Sequence, residues 1–455
     1  MVATEGSATL EEAVRRAVIT LKSGSTFADA IRKSHFLNYY DRNNPLGVLP
    51  IGDDLLEFRP FSSSEYAITL LPEEIAGNGR ETNQYFYVNK EGEKARFFNE
   101  EEGNELSGKT LYIVATPSID ADWQPDQTVF RMQIAVRTAK HMGAEKVYAV
   151  FSEFPFARQD RGINLYNRKK EGSTDADKKK HAGQTDYVST VLLSLMVHGC
   201  DGVVTLHHHS GHVQQAARDC LGVLGKNRNT QYVFDLSSTP LIARYLQQTD
   251  IISDTERANY GEGIVFIAPD EGALEFVRSV KEMSGYRNAG LVHIDKKRLR
   301  ANDESAMKGI LIPQDGFTEK YEGKIGIVLD DMVDTFGTMN LALNKLPKEL
   351  QRVVMYATHG IFAGHAEDLL RKHKRVSDLI VMDTRQSRLR HLGAGPKRKL
   401  TVLQPAQYFA HALAHCVEQG RDPVLFYQRL FQENPTFFDT LYKVKRFDQY
   451  YSKAS

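Results

Sequence analysis

The feature that most constrains this chain is a recurring pattern of short, β-branched apolar runs, each followed by a loop and a stretch of helix length. The runs are Lys109–Thr116 (KTLYIVAT), Glu145–Phe151 (EKVYAVF), Asp201–Leu206 (DGVVTL), Gly263–Ala268 (GIVFIA), Ala289–Ile294 (AGLVHI), Lys324–Leu329 (KIGIVL), Arg352–Ala357 (RVVMYA) and Asp378–Asp383 (DLIVMD). Runs that are continuously apolar, rather than alternating, suit parallel strands covered on both faces. Interleaved with helices, they predict an α/β architecture. Ligands of such sheets bind beyond the carboxyl ends of the strands, so chemistry is expected in the loops after these runs.

The 455 residues suffice for two to three domains. Basic and acidic residues balance at 58 each, which argues against a nucleic-acid partner held by bulk charge. No apolar run approaches membrane-spanning length, so no membrane association is expected. Glu5, Glu11 and Glu12 interrupt any secretory lead. The three cysteines, Cys200, Cys220 and Cys416, form no CxxC pair, which suits a reducing cytoplasm.

The edges differ from the middle. Residues 1–45 hold two helical patches, LEEAVRRAVITLK and a second opening at Ser25 or Thr26, and read as a helical extension. Residues 162–183 are polar and lysine-rich without periodicity and read as an inserted loop. The tail carries Phe426, Tyr427, Phe431, Phe437, Phe438 and Tyr442, a density that predicts a packed helical cap or a subunit contact. The expected division is a helical extension (1–45), a first domain (46–225), a second domain (226–405) and a helical tail (406–455).

The richest motif is KIGIVLDDMVDTFGTMNLALNKL. A buried strand runs into Asp330 and Asp331. A loop follows (Asp334, Thr335, Phe336, Gly337, Thr338), then a helix. Backbone N–H groups of such a loop, reinforced by the helix dipole, converge on one spot and can cradle a phosphate monoester. Gly337 permits close approach, and Thr335 and Thr338 offer hydroxyl donors. The two aspartates can accept hydrogen bonds from sugar hydroxyls. The bland alternative is a strand end with solvated carboxylates and a capped helix.

DDMVDTFGT resembles the ribose-phosphate loop shared by phosphoribosyltransferases and ribose-phosphate pyrophosphokinases, the enzymes that make phosphoribosyl pyrophosphate (PRPP). Further segments favour the second family. FPFARQDRG (154–162) resembles its ATP-binding stretch, which implies nucleotide contacts from Arg158, Gln159 and Asp160. GLVHIDKKRLRAN (290–302) resembles its catalytic loop, which implies catalytic roles for Lys296 and Arg298. VFIAPDEGA (265–273) resembles its pyrophosphate and Mg²⁺ loop, with Asp270 as the implied metal residue and Ala268 where serine is usual. VVTLHHHSGHVQQA (203–216) resembles a segment that carries one histidine near the metal. Either His207 or His208 fits that position, and Thr205 replaces an aspartate. A zinc site in this histidine cluster is a rival reading, although the spacing matches no standard zinc motif. VNKEGEKARFF (88–98) is a looser match, in which Glu91 and Glu93 are implied ATP contacts and Asn89 replaces a phenylalanine. ATHGIFAGHAEDLL (357–370) and DLIVMDTRQS (378–387) extend the collinear resemblance, which spans 109–419.

The resemblance implies two phosphoribosyltransferase-like domains with parallel sheets and the active site between them, in a cytoplasmic homo-oligomer. It implies transfer of the β,γ-diphosphate of Mg·ATP to the C1 hydroxyl of ribose 5-phosphate, giving PRPP and AMP. Two alternatives stay open: an inactive regulatory relative, and a diphosphokinase with a larger acceptor such as ADP-ribose. A base-using phosphoribosyltransferase would leave ARQDR and DKKR without a role.

Overall fold

The computed structural model describes residues 16–20, 27, 30–31, 49–50, 56–60, 66–70, 86–88, 94–96, 98–99, 103–104, 108–116, 125–157, 185–208, 211–295, 311–318, 320–385 and 400–446. The chain divides into two units. The first comprises Met1–Leu236 with Ala406–Pro423, and the second Ser237–Pro405 with Val424–Ser455.

The first unit is built on a six-stranded sheet. In chain order its strands are β1 (Arg16–Thr20), β2 (Leu49–Pro50), β3 (Thr110–Ala115), β4 (Lys146–Phe151), β5 (Gly202–Leu206) and β6 (Val233–Leu236). They lie side by side as β6-β5-β4-β3-β1-β2, all parallel. Three short antiparallel ladders (56–60 with 66–70, 86–88 with 94–96, 98–99 with 103–104) precede β3. Helix α1 (Pro125–His141) lies against β3 and β4, and α2 (Tyr187–Val197) against α3 (His212–Val223). Buried Val129, Met132, Val136 and Ala139 recur at three- and four-residue intervals on α1, the spacing of one helix face. They pack on Leu111, Ile113 and Ala149 of the strands. Each large apolar side chain so enclosed contributes roughly 1.5–3 kcal/mol.

Residues 16–20 correct one expectation. Helical periodicity predicted a helix there, but the segment is strand β1, paired from Arg16 with Thr110 to Thr20 with Val114. Its Val-Ile-Thr end is β-branched, which favours extended backbone, and the ladder beside β3 outweighs the local helical pattern. The second patch behaves as expected, since residues 27, 30 and 31 are helical.

The second unit carries an eight-stranded sheet. Its strands are β7 (Ile264–Ala268), β8 (Gly290–Ile294), β9 (Leu311–Gln314), β10 (Ile325–Val333), β11 (Arg352–Gly360), β12 (Val376–Met382), β13 (Leu400–Gln404) and β14 (Lys443–Arg446). The order is β9-β8-β7-β10-β11-β12-β13-β14. The two edge strands are antiparallel to their neighbours and the six between them are parallel. Helices α4 (Thr239–Gln248), α5 (Asp254–Gly261), α6 (Leu274–Met283), α7 (Gly337–Lys345) and α8 (Ala366–Lys372) accompany it.

The tail is shared. Helix α9 (Ala406–Ala412), continued by a wider π turn (Leu413–Val417), belongs to the first unit, where Phe27 meets Phe409 edge-on at 4.9 Å. Helix α10 (Pro423–Glu433) and the segment after it pack in the second unit. Tyr427 and Phe431 close on Phe438, and Arg244 grips Asp439 through two 2.7 Å bonds. The expected aromatic packing is there, but the tail is not helical throughout, because β14 extends the sheet. No described helix is long and apolar enough to cross a membrane. The three cysteines are buried.

Candidate functional site

All eight predicted apolar runs form strands, and in the second unit the chemistry-bearing residues gather at their carboxyl ends. The apolar run was read as ending at Leu329, where it meets Asp330 and Asp331. The strand itself carries both aspartates, because the pairing of β10 with β11 continues as far as Val333 opposite Gly360. β7 is the neighbour of β10, and Asp270 follows it directly. Residues 60 apart in sequence are thereby brought together. The Asp331 amide donates to Asp330 Oδ1 at 2.9 Å. Burial, then the charges of Asp331 and Asp270, hold the Asp330 carboxyl well above the usual carboxylate range. One oxygen of Asp270 accepts the Ala273 amide at 3.0 Å, just ahead of α6. Among the described residues no group of three or more His, Cys, Asp or Glu side chains is arranged to hold a metal ion.

The loop beyond β10 is pinned at both ends. Val333 O accepts the amides of Ile361 and Phe362 at 2.9 and 3.0 Å, and Asp334 O accepts that of Ala363 at 3.1 Å. Phe336 then adopts left-handed backbone (φ 64°) with its ring buried in the core, 5.9 Å from the ring of His373. A residue with a β-carbon held there costs on the order of 1 kcal/mol or more, which burial of the ring offsets. Phe336 provides no capping side chain for α7. The first-turn N–H groups of a helix lack intrahelical partners and, with the dipole, favour an anion. A β-carbon on Gly337 would meet nothing nearer than Thr335 Oγ1 at 3.7 Å. Packing therefore does not demand glycine at this position, whereas close approach of a ligand would. Thr335 is exposed, and the side chain of Thr338 lies outside the described residues.

In the first unit, His207 and His208 follow β5, and Asp235 lies on its neighbour β6, where Thr205 pairs with Asp235 and Leu206 with Leu236. His207 N donates to Leu236 O at 2.8 Å, and His208 N to Asp235 Oδ1 at 3.1 Å. His212 departs from this group. Its Nε2 meets Asp186 Oδ2 at 2.7 Å, and Asp186 also accepts the amide and hydroxyl of Ser189 at the start of α2. Burial alone would raise the Asp186 carboxyl, but the bonds from His212 and Ser189 outweigh it and the net shift is downward. His212 is thus accounted for by a structural tie between two helix starts.

Asp235 was missed in the sequence. The available signal was an acid in the middle of the short apolar run YVFDL, where a strand that buries its face must give a carboxylate a specific partner. Seven expected residues, Glu91, Glu93, Arg158, Gln159, Asp160, Lys296 and Arg298, lie outside the described residues. Their flanks are described: buried Phe154 and Ala157 lead out of β4, and Asp295 follows β8.

No family model matches the chain. Ribose-phosphate pyrophosphokinase 1 of Lactococcus lactis is 27% identical over 261 residues, 57% of this chain and 65% of that protein. Ribose-phosphate pyrophosphokinase 3 of Saccharomyces cerevisiae is 27% identical over 54% of this chain and 62% of its own length. The Halalkalibacterium halodurans ribose-phosphate pyrophosphokinase is 24% identical over 70% of this chain and 83% of its own length. The chain thus spans just under two thirds of the first two of these relatives. Among solved structures, phosphoribosylpyrophosphate synthetase from Mycobacterium smegmatis superposes with a TM-score of 0.56 at 17% identity, covering 89% of this chain and 99% of that one. The parallel-sheet α/β fold is that of the mycobacterial synthetase, and in sequence the chain is similar, at 24–27% identity, to ribose-phosphate pyrophosphokinases.

Proposed function

We propose that the chain is a ribose-phosphate diphosphokinase, which transfers the β,γ-diphosphate of Mg·ATP to the C1 hydroxyl of ribose 5-phosphate. The observation that carries this reading is one element: β10 bears two adjacent carboxylates, and its loop is anchored by Phe336, whose side chain gives the start of α7 no capping bond. Asp330 and Asp331 accept hydrogen bonds from the vicinal ribose hydroxyls. The backbone from Asp334 to Thr338 surrounds the 5-phosphate, where the dianion gains most from the helix start.

The C1 oxygen attacks the β-phosphorus in line. The bond between that phosphorus and the α,β-bridging oxygen breaks, AMP leaves, and the hydroxyl proton passes to solvent. Positioning and electrostatics supply most of the acceleration in such transfers. Lys296, Arg298 and Arg158 offset charge on the moving diphosphate, and Gln159, Asp160, Glu91 and Glu93 hold the rest of the nucleotide. In the second unit Asp270, directly or through water, would hold Mg²⁺, which would supply charge neutralisation at the phosphates, and in the first unit a histidine of the pair His207/His208 is the proposed metal contact.

A terminal phosphate favours ribose 5-phosphate over a bridged ester such as ADP-ribose, because a bridged diphosphate would need an open exit from the loop. The test is to incubate the protein with Mg·ATP and equal concentrations of both acceptors, reading AMP and the diphosphorylated product. PRPP with stoichiometric AMP is expected. Mainly diphosphorylated ADP-ribose would overturn the acceptor, and no AMP with either would overturn the reaction.

A further inference from the structure

Two consecutive histidines stand at the end of β5, and the protein treats them differently. His207 is half-buried and has left-handed backbone (φ 46°). That conformation costs a residue with a β-carbon on the order of 1 kcal/mol or more, so the surroundings must impose it. The restraint comes from β6. The amide of His207 is tied to Leu236 O, and the amide of His208 to Asp235 Oδ1. The other oxygen of Asp235 lies 3.5 Å from Nε2 of His208, so one carboxylate fixes both the backbone and the ring of that residue. The side chains of His208 and Asp235 are only 10% and 13% exposed. The second ring nitrogen of His208, Nδ1, is buried and has no hydrogen-bond partner among the described residues. A nitrogen enclosed in this way is out of reach of a bulky, hydrated polyphosphate.

We propose that Asp235 is a positioning residue. It seats His208 inside the protein and thereby holds the left-handed corner that presents His207, and not His208, to the polyphosphate of the nucleotide and its metal. The proposal rests on the diphosphokinase reading for its ligand and deepens it in two respects. It decides between two adjacent imidazoles that the sequence leaves equivalent. It also assigns a role to an acidic residue on a different strand, 28 positions away.

The test reads geometry first and turnover second. Protein carrying ¹³C-labelled histidine is titrated with Mn²⁺ and α,β-methylene ATP, and the paramagnetic broadening of each ring resonance is followed, with His207→Gln and His208→Gln giving the assignments. The ring of His207 is expected to broaden strongly and that of His208 several-fold less. Asp235→Ala should reduce the broadening at His207 at least threefold. Asp235→Asn retains an oxygen for the His208 amide and should restore most of it, which loss of fold alone would not do. In turnover, Asp235→Ala should lower kcat by tenfold or more with the KM for ribose 5-phosphate unchanged, and adding it to His207→Ala should cost less than a further twofold, the non-additivity expected of a residue acting through another. Stronger broadening at His208, no broadening at either ring, or additive losses would overturn the proposal. If Asp235→Ala does not fold, the selectivity of broadening in the unmutated protein still decides. Selective broadening of His207 in a protein that forms no AMP would sink the diphosphokinase reading and leave the positioning role in nucleotide binding standing.

Discussion

Gly337→Ala separates a phosphate cradle from an ordinary helix start. The added methyl would meet no heavy atom nearer than 3.7 Å, and Gly337 is the first residue of α7, so the substitution introduces no strain. Removing glycine's freedom in the unfolded chain should stabilise the second unit by about 0.5–1 kcal/mol. For a unit of this size that corresponds to a rise in Tm of roughly 1–4 °C. A ligand phosphate drawn to the first-turn amides would instead meet the methyl and lose one charged hydrogen bond, worth about 1.5–3 kcal/mol, or roughly 10- to 150-fold in affinity. Calorimetric titration with ribose 5-phosphate reads this without requiring turnover, beside a thermal melt of the same samples. Higher stability with at least tenfold weaker binding is the expected pair. Higher stability with binding unchanged within twofold would mean that no phosphate occupies the loop, and the cradle argument would fail.

Two further outcomes follow from the carboxylates. Asp330→Asn relieves a buried like-charge cluster and should melt higher than the unmutated protein in metal-free buffer at neutral pH while losing measurable ribose 5-phosphate binding; a lower melting temperature would contradict the repulsion argued from Asp331 and Asp270. Asp186→Ala removes a helix cap and the bonds from Ser189 and His212, and should cost roughly 2–4 kcal/mol near neutral pH. Because the folded protein lowers this carboxyl's pKa, its contribution is full above the ordinary carboxylate value of about 4 and is lost as pH falls below it. Chemical denaturation of both proteins across pH 3–7 should show the gap closing at the acid end, and a gap independent of pH would refute the assignment.

The central strands were legible because burial on both faces leaves a continuous apolar run, as in TLYIVA of β3 and IVFIA of β7. The run of β10 was legible only as far as Leu329. Asp330 and Asp331 look like a loop in one dimension, and only pairing with β11 keeps them extended. β1 was misread because Arg-Ala-Val-Ile-Thr fits a helix face as well as a strand, and the deciding contact, β3, lies some ninety residues away. The edge strands β9 and β14 were invisible because LIPQ is only half-buried and three of the four residues of KVKR are basic. Of the candidate site residues, those read from single segments stand where expected: the loop from Asp334 to Gly337 and the acid at Asp270 follow strand ends. Asp235 was not readable, since its importance comes from facing a histidine on another strand.

The return of α9 to the first unit has a consequence for synthesis. Leu236 ends the main run of that unit, yet Phe409, which meets Phe27, and Glu418, which accepts the Tyr112 hydroxyl at 2.6 Å, are made about 170–180 residues later. At ribosomal speeds of 5–20 residues per second the wait is roughly 10–40 s. During that time the six-stranded sheet exists without its last helix, and the nascent chain must keep Phe27 and the Tyr112 face from other partners until the whole of β7–β13 has been made. Domain-by-domain folding from the N-terminus, the usual economy of a two-unit chain, is therefore closed to this one at its final step.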